Sequence, residues 1–172
     1  MEYDFLGARL NSTRINKYLA KQSMNNSLRK FISLYTSSDD KTTAEIKEAV
    51  CMYKELNRGV LQPFINDSDI EKITDDEVEK VFNETKEKSG KNFIYFYQSY
   101  RRKIEKGYNE EFVNNAFSDL KTSYYTYRKA NNPLWNLTDC QITEGEMKNL
   151  YNILVPEQEK TVNKDKEIEG RV

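Results

Sequence analysis

Along most of this chain apolar residues recur at the i, i+3, i+4, i+7 spacing that gathers them on one face of an α-helix. Ile46, Ala49, Val50, Tyr53 and Leu56 keep that spacing between a cap at Thr42 or Thr43 and a stop at Gly59. Thr74, Asp75, Asp76 and Glu77 then form a capping box, whose Thr hydroxyl and Glu carboxylate take orphan backbone N–H groups, ahead of Val78, Val81 and Phe82. Gly90 is the expected end of that helix, and the segment from Gln62 and Pro63 to Ser68 is the expected loop before it.

The next helix is expected from about Asn92 to Lys106, with Phe93, Phe96, Tyr97, Tyr100 and Ile104 on its apolar face and Gly107 behind it. The run from Phe93 to Tyr97 also suits a short buried strand, but the helical register continues through Ile104 without a turn. Asn109 caps a further helix with Phe112, Val113, Ala116, Phe117 and Leu120, ending at Asn131, Asn132 and Pro133. A second capping box, Thr143 to Glu146, precedes Met147, Leu150, Tyr151 and Leu154, and Pro156 closes that helix. Upstream, residues 12–36 read as one helix or two, with Ile15, Tyr18 and Leu19 separated from Leu28, Phe31, Ile32 and Tyr35 by a polar break from Gln22 to Ser27.

The expected fold is therefore all-α, a single-domain bundle of about five to seven helices over residues 1–156. The residues after Pro156 are almost entirely charged or polar and bury too little to offset ordering entropy, so 157–172 are expected to be a disordered tail. Composition agrees: 172 residues with only six Gly and three Pro suit one helical domain with a core of its own. No run reaches the roughly 18 apolar residues that span a membrane, and the start has no signal-peptide layout, which points to the cytoplasm. Cys51 and Cys140 lack metal or redox spacing and read as ordinary thiols. Abundant Lys, Asn, Tyr, Ile and Phe point to an A/T-rich genome, such as a low-GC bacterium, its phage or a plasmid.

Charge changes the picture, because the net charge of −1 conceals segregation. Residues 1–37 carry +4, 38–87 carry −7, 88–130 carry +5 and the remainder −3. Opposite faces of that kind steer association even near neutrality. The acidic block offers Asp67, Asp69, Asp75, Asp76, Glu77 and Glu79 as one candidate face.

The basic block contains two near-repeats, Tyr97 to Lys103 and Tyr124 to Lys129, in which tyrosines precede cations. On a helical wheel Tyr97, Tyr100, Tyr124 and Tyr127 fall with the core. Tyr95 falls within about 20° of Arg102 and Lys106 on the opposite face, and Tyr125 falls between Lys121 and Lys129. With Arg101 and Arg128, these residues form the candidate binding set. In an antiparallel hairpin across Gly107 the two outward faces would merge into one basic, aromatic surface, where tyrosine stacks and cations take phosphate or carboxylate.

The chain has no histidine, which removes the usual general base and the Ser-His and Cys-His pairs. Asp75, Asp76, Glu77 and Glu79 supply carboxylates, but at a helix start, where acids complement the dipole. No catalytic residues, metal site or cofactor are expected. The expected function is non-enzymatic docking onto a protein or nucleoprotein partner, by a protein of a phage, plasmid or other mobile element. An inhibitor of a host nucleic-acid enzyme, in the manner of anti-CRISPR proteins, answers to that description. The alternative is a small helical subunit that binds nucleic acid directly. Either the acidic block meets a basic channel, or the Tyr95 and Tyr125 face meets an acidic surface; sequence leaves the oligomeric state open.

Overall fold

The computed structural model describes residues 2–136 and 142–156, with side chains from Lys17 onward. The expected tail at 157–172, and Cys140, lie outside the described residues. Within them the chain is an all-α bundle of six helices: α1 Glu2–Ser37, α2 Ala44–Asn57, α3 Asp67–Glu71, α4 Asp75–Glu105, α5 Glu110–Asn131 and α6 Glu144–Leu154. The Thr and Asn caps act as expected, while the Glu77 carboxylate of the first capping box goes to Lys54 instead of a backbone N–H. Thr43, Thr74 and Thr143 each accept the N–H three residues on, and Asn109 accepts that of Glu111. Gly59 (φ 91°) and Gly107 (φ 67°) end α2 and α4 in the left-handed conformation that glycine adopts at little cost.

Two expected breaks are absent. Gly90 does not end a helix: α4 runs unbroken for 31 residues, and Gly90 instead faces the Tyr127 ring of α5, 3.5 Å from where a Cβ would stand. The polar stretch Gln22 to Ser27 does not interrupt α1. Asn25 is buried and gives its amide to the Asp119 carbonyl (3.0 Å), and Gln22 gives its own to the Asp119 carboxylate (3.1 Å), so these two amides are spent on α5. The expected loop before α4 also holds the five-residue α3.

α4 is the spine. α5 packs antiparallel to it, with Gly90 against Tyr127, Phe93 against Tyr124 (6.0 Å between ring centres) and Tyr100 against Phe117 (5.3 Å). α1 runs antiparallel to α4 and along α5: Tyr18 meets Phe96 and Asp119, while Tyr35 stacks on Phe82 at 4.1 Å. α2 runs parallel to the first half of α4, and α6 lies against its second half through the Tyr97–Tyr151 stack at 4.3 Å.

Two apolar clusters result. One holds Leu28, Phe31, Ile32, Ile46, Val50, Val78, Val81 and Phe82; the other holds Phe93, Phe96, Tyr97, Tyr100, Leu120, Tyr124, Met147 and Leu150. Between them buried Asn25, Ser27, Thr85, Ser89, Asn92, Ser123 and Thr126 form a polar waist. Thr85, Ser89, Ser123 and Thr126 satisfy their hydroxyls on carbonyls of their own helices. Three residues assigned to the apolar faces are exposed: Leu19 of α1 at 44%, and Phe112 at 56% and Ile104 at 38%, the last two at the α4–α5 turn, where the packed register runs out.

Candidate functional site

The merged tyrosine surface expected from the hairpin is divided by α1. Tyr95 lies on one flank of α1, with Lys21 over its ring at 5.3 Å and its edge against Phe96. Tyr125 lies on the other flank, accepting a hydrogen bond from Ser33 at 3.3 Å and meeting Trp135 edge-on. A wheel of α4 or α5 alone could not reveal this, since the third helix that fills the groove comes from far away in sequence. Both rings are half-buried.

The cations of the candidate set separate accordingly. Arg128 gives its Nε to the Tyr124 hydroxyl (3.0 Å) and lies over the same ring, and Lys121 sits over Phe117. Arg101 reaches Glu144 of α6 at 3.7 Å. These three are occupied by the fold. Lys129 is half-buried, while Arg102 and Lys106 project from the second half of α4.

Sequence reasoning missed two members of the Tyr95 flank, Lys21 of α1 and Lys88 of α4. Lys88 donates to Asn57 and lies over Tyr53, and its ammonium is held below the ordinary lysine range by burial and then by Lys21. Lys103 is lowered as well, chiefly by burial, with Arg102 adding to the effect against the pull of Asp119. Like charges thus crowd along this flank.

The acidic candidates assemble at the opposite end of α4. Asp75 pairs with Lys47 (3.6 Å) and Glu77 with Lys54 (3.0 Å), tying α4 to α2. Asp67, Asp69, Asp76 and Glu79 are exposed and enter no ion pair among the described residues. α2 ends beside Lys88, and α4 begins beside Lys47, so the chain between them must run back along α2. That return carries Val60, Leu61 and Phe64 in the open, Phe64 at 83% exposure.

Under the return lies a half-open cleft of about 240 Å³, floored by Cys51, Ile65 and Ile73 and rimmed by Lys54, Arg58, Asp69, Lys72 and Glu77. Burial, reinforced by Asp69, raises the Cys51 thiol, which stays protonated near neutrality and is a poor nucleophile. Among the described residues no three His, Cys, Asp or Glu side chains come together as a metal site. No described helix is long and apolar enough to cross a membrane. The apolar return was legible in principle, since the run from Val60 to Phe64 fits no helical face yet contains three large apolar residues around Pro63. No protein-family model, curated protein or solved structure matches the chain.

Proposed function

We propose that this protein acts by docking, without catalysis, onto a basic protein surface, and that the acidic end of the bundle is its working face. The observation that carries this reading is the return from α2 to α3, which holds Val60, Leu61 and Phe64 in solvent and leads into Asp67 and Asp69, exposed carboxylates with no ion pair among the described residues. Large apolar side chains cost free energy in water, about 25 cal/mol per Å² of apolar area, and an exposed aromatic ringed by charge is the arrangement of an interface anchor. The surrounding acids select a cationic partner and speed encounter with it. Basic surfaces with apolar pockets occur where proteins handle nucleic acid, so the partner is a nucleic-acid-binding protein whose phosphate channel this end would block. A source in a phage, plasmid or other mobile element belongs to the same proposal.

The test is affinity capture from the native host with the parent protein and with Phe64→Ala/Asp67→Asn/Asp69→Asn, followed by binding measurements on the purified partner. A basic partner is expected whose affinity falls at least tenfold with the triple variant and also falls as salt rises. Equal binding of the purified partner by both proteins overturns the assignment.

A further inference from the structure

The basic flank of α4 answers to a different partner from the acidic end and stands independently of the docking proposal. Lys88, Lys91, Tyr95, Arg102 and Lys106 fall within an arc of about 60° on α4 and extend over about 27 Å of its length, at 3.6 residues per turn and 1.5 Å per residue. Lys21 adds a cation from α1 directly over Tyr95. The row is one side chain wide and lies on a single continuous helix, because Gly90 does not interrupt α4.

Its charge is largely unspent. Lys91 takes Glu87 at 3.2 Å, an exposed pair one turn apart, but Lys21, Lys88, Arg102 and Lys106 enter no ion pair among the described residues. Glu84, one turn before Lys88 on α4 and acting on its ammonium, accepts the Tyr53 hydroxyl at 2.9 Å. Asp119, near Lys103, is engaged by Tyr18 and Gln22. The fold therefore engages both of these acids with tyrosine hydroxyls and leaves Arg102 and Lys106 exposed, with Lys88 half-buried in the same row.

We propose that this flank binds single-stranded nucleic acid, its phosphates lying along the row from Lys88 to Lys106. A row one residue wide matches a single backbone, whereas a duplex needs a broader footprint. The half-exposed Tyr95, midway along, gives a base an aromatic edge to pack on, with Lys21 free to swing from the ring to a phosphate. Burial and the approach of Lys21 and Lys91 lower the Lys88 ammonium, and a bound phosphate would reverse the effect of that crowding.

Fluorescence anisotropy with labelled oligothymidylate tests this. Binding is expected at low salt, weakening with a log–log salt slope near −3 for four phosphate contacts. Lys88→Gln/Arg102→Gln is expected to lose at least tenfold in affinity and about half of the slope. Because Lys88 touches Tyr53 and Asn57, the fully surface pair Arg102→Gln/Lys106→Gln provides a second reading that folding defects do not confound, and it too should lose at least fivefold. Asp67→Asn/Asp69→Asn should bind the oligonucleotide no more weakly than the parent. Absence of binding at low salt, tighter binding to a duplex of equal length, or unchanged affinity in the Arg102/Lys106 pair each overturns the proposal.

Discussion

The two halves of α4 support cores of different construction. Its first half, with Val78, Val81 and Phe82, meets Leu28, Ile32, Ile46 and Val50, so branched aliphatic side chains fill most of the interior. Its second half brings Phe93, Phe96, Tyr97 and Tyr100 against Tyr124 and Tyr151, so rings fill it. Aliphatic groups contribute by volume alone. Tyrosine rings bring hydroxyls that must find partners at the cluster's edge. One Tyr-then-cation repeat answers this need within itself, Arg128 lying over Tyr124 and donating to its hydroxyl, while Lys103 of the other closes over Tyr18 of α1 at 4.4 Å. What reads along the chain as a binding motif is in large part how an aromatic core finishes its boundary.

The severest way to break the comparison is to hollow out each half in turn. Phe93→Ala should cost about 3–5 kcal/mol and Ile46→Ala about 2–5 kcal/mol, since both side chains are fully buried. The informative readout is cooperativity. Trp135, packed on Tyr124 at 6.2 Å, reports the aromatic half by its emission, whereas far-UV circular dichroism reports the whole bundle. Because α1 and α4 run through both clusters, the two denaturation curves should coincide for the parent and both variants. Separate midpoints would show that the polar waist divides the molecule into independent units.

A milder lesion sharpens the chemical difference. Each half anchors one tyrosine hydroxyl on a carboxylate: Tyr53 on Glu84 at 2.9 Å and Tyr18 on Asp119 at 2.5 Å. Burial, reinforced by the carboxylate, pushes Tyr53 up to about 12 and raises Tyr18 further. An unfolded tyrosine titrates near 10. Above that pH the unfolded chain loses protons that the folded protein keeps, so this stability is complete below about pH 10 and lost as pH rises through the folded values. Tyr18→Phe removes a hydrogen bond to a charged group and should cost about 1.5–3 kcal/mol at neutral pH, Tyr53→Phe somewhat less because Glu84 is solvated. Urea midpoints at pH 7 and pH 11 check this: each variant should narrow the gap between the two, Tyr18→Phe more strongly.

Thr74→Ala removes the N-cap of α4 at its aliphatic end and should cost about 1 kcal/mol. Thr143→Ala does the same for α6, which closes only the aromatic half. Hydrogen exchange should therefore separate them, Thr74→Ala loosening both clusters and Thr143→Ala chiefly the amides of Met147 to Leu154. Equal spread of exchange in both variants would deny α4 its role as the common spine.

These elements mark how far the sequence was readable. The starts of α2, α4, α5 and α6 were legible because caps are local, Thr43, Thr74, Asn109 and Thr143 each acting within four residues of themselves, whereas the starts expected near residue 12 and Asn92 fall inside α1 and α4. The acidic composition of the block was legible; that Asp75 and Glu77 are drawn to Lys47 and Lys54 of α2 was not. What failed was everything decided by a distant helix. Gln22 and Asn25 read as a break because their partner, Asp119, lies more than 90 residues away. Tyr95 and Tyr125 read as one surface because α1, which parts them, has no local signature in either helix. Lys21 and Lys88 escaped notice for the same reason, being neighbours only after α1 lies against α4.

Gly90 is the smallest lesion and the one that tests the boundary itself. It sits at the waist, in a helix interior where glycine costs about 1 kcal/mol relative to alanine. If the glycine were a helix stop, as its residue type suggests, alanine would strain the backbone; Gly107, at φ 67°, is such a stop, and Gly107→Ala should cost about 1–2 kcal/mol. Gly90 has no positive φ, and an added Cβ would stand 3.5 Å from the Tyr127 ring, an ordinary contact. Gly90→Ala should therefore raise stability by up to about 1 kcal/mol, measured as a shift of the urea midpoint at unchanged slope. The gain belongs to continuity of α4 across the waist, which holds the two cores in register and lays Lys88 and Arg102 along one line. A loss of stability instead would mean that Tyr127 needs the bare glycine face, and that the two halves are joined by close packing of α5 rather than by the helix they share.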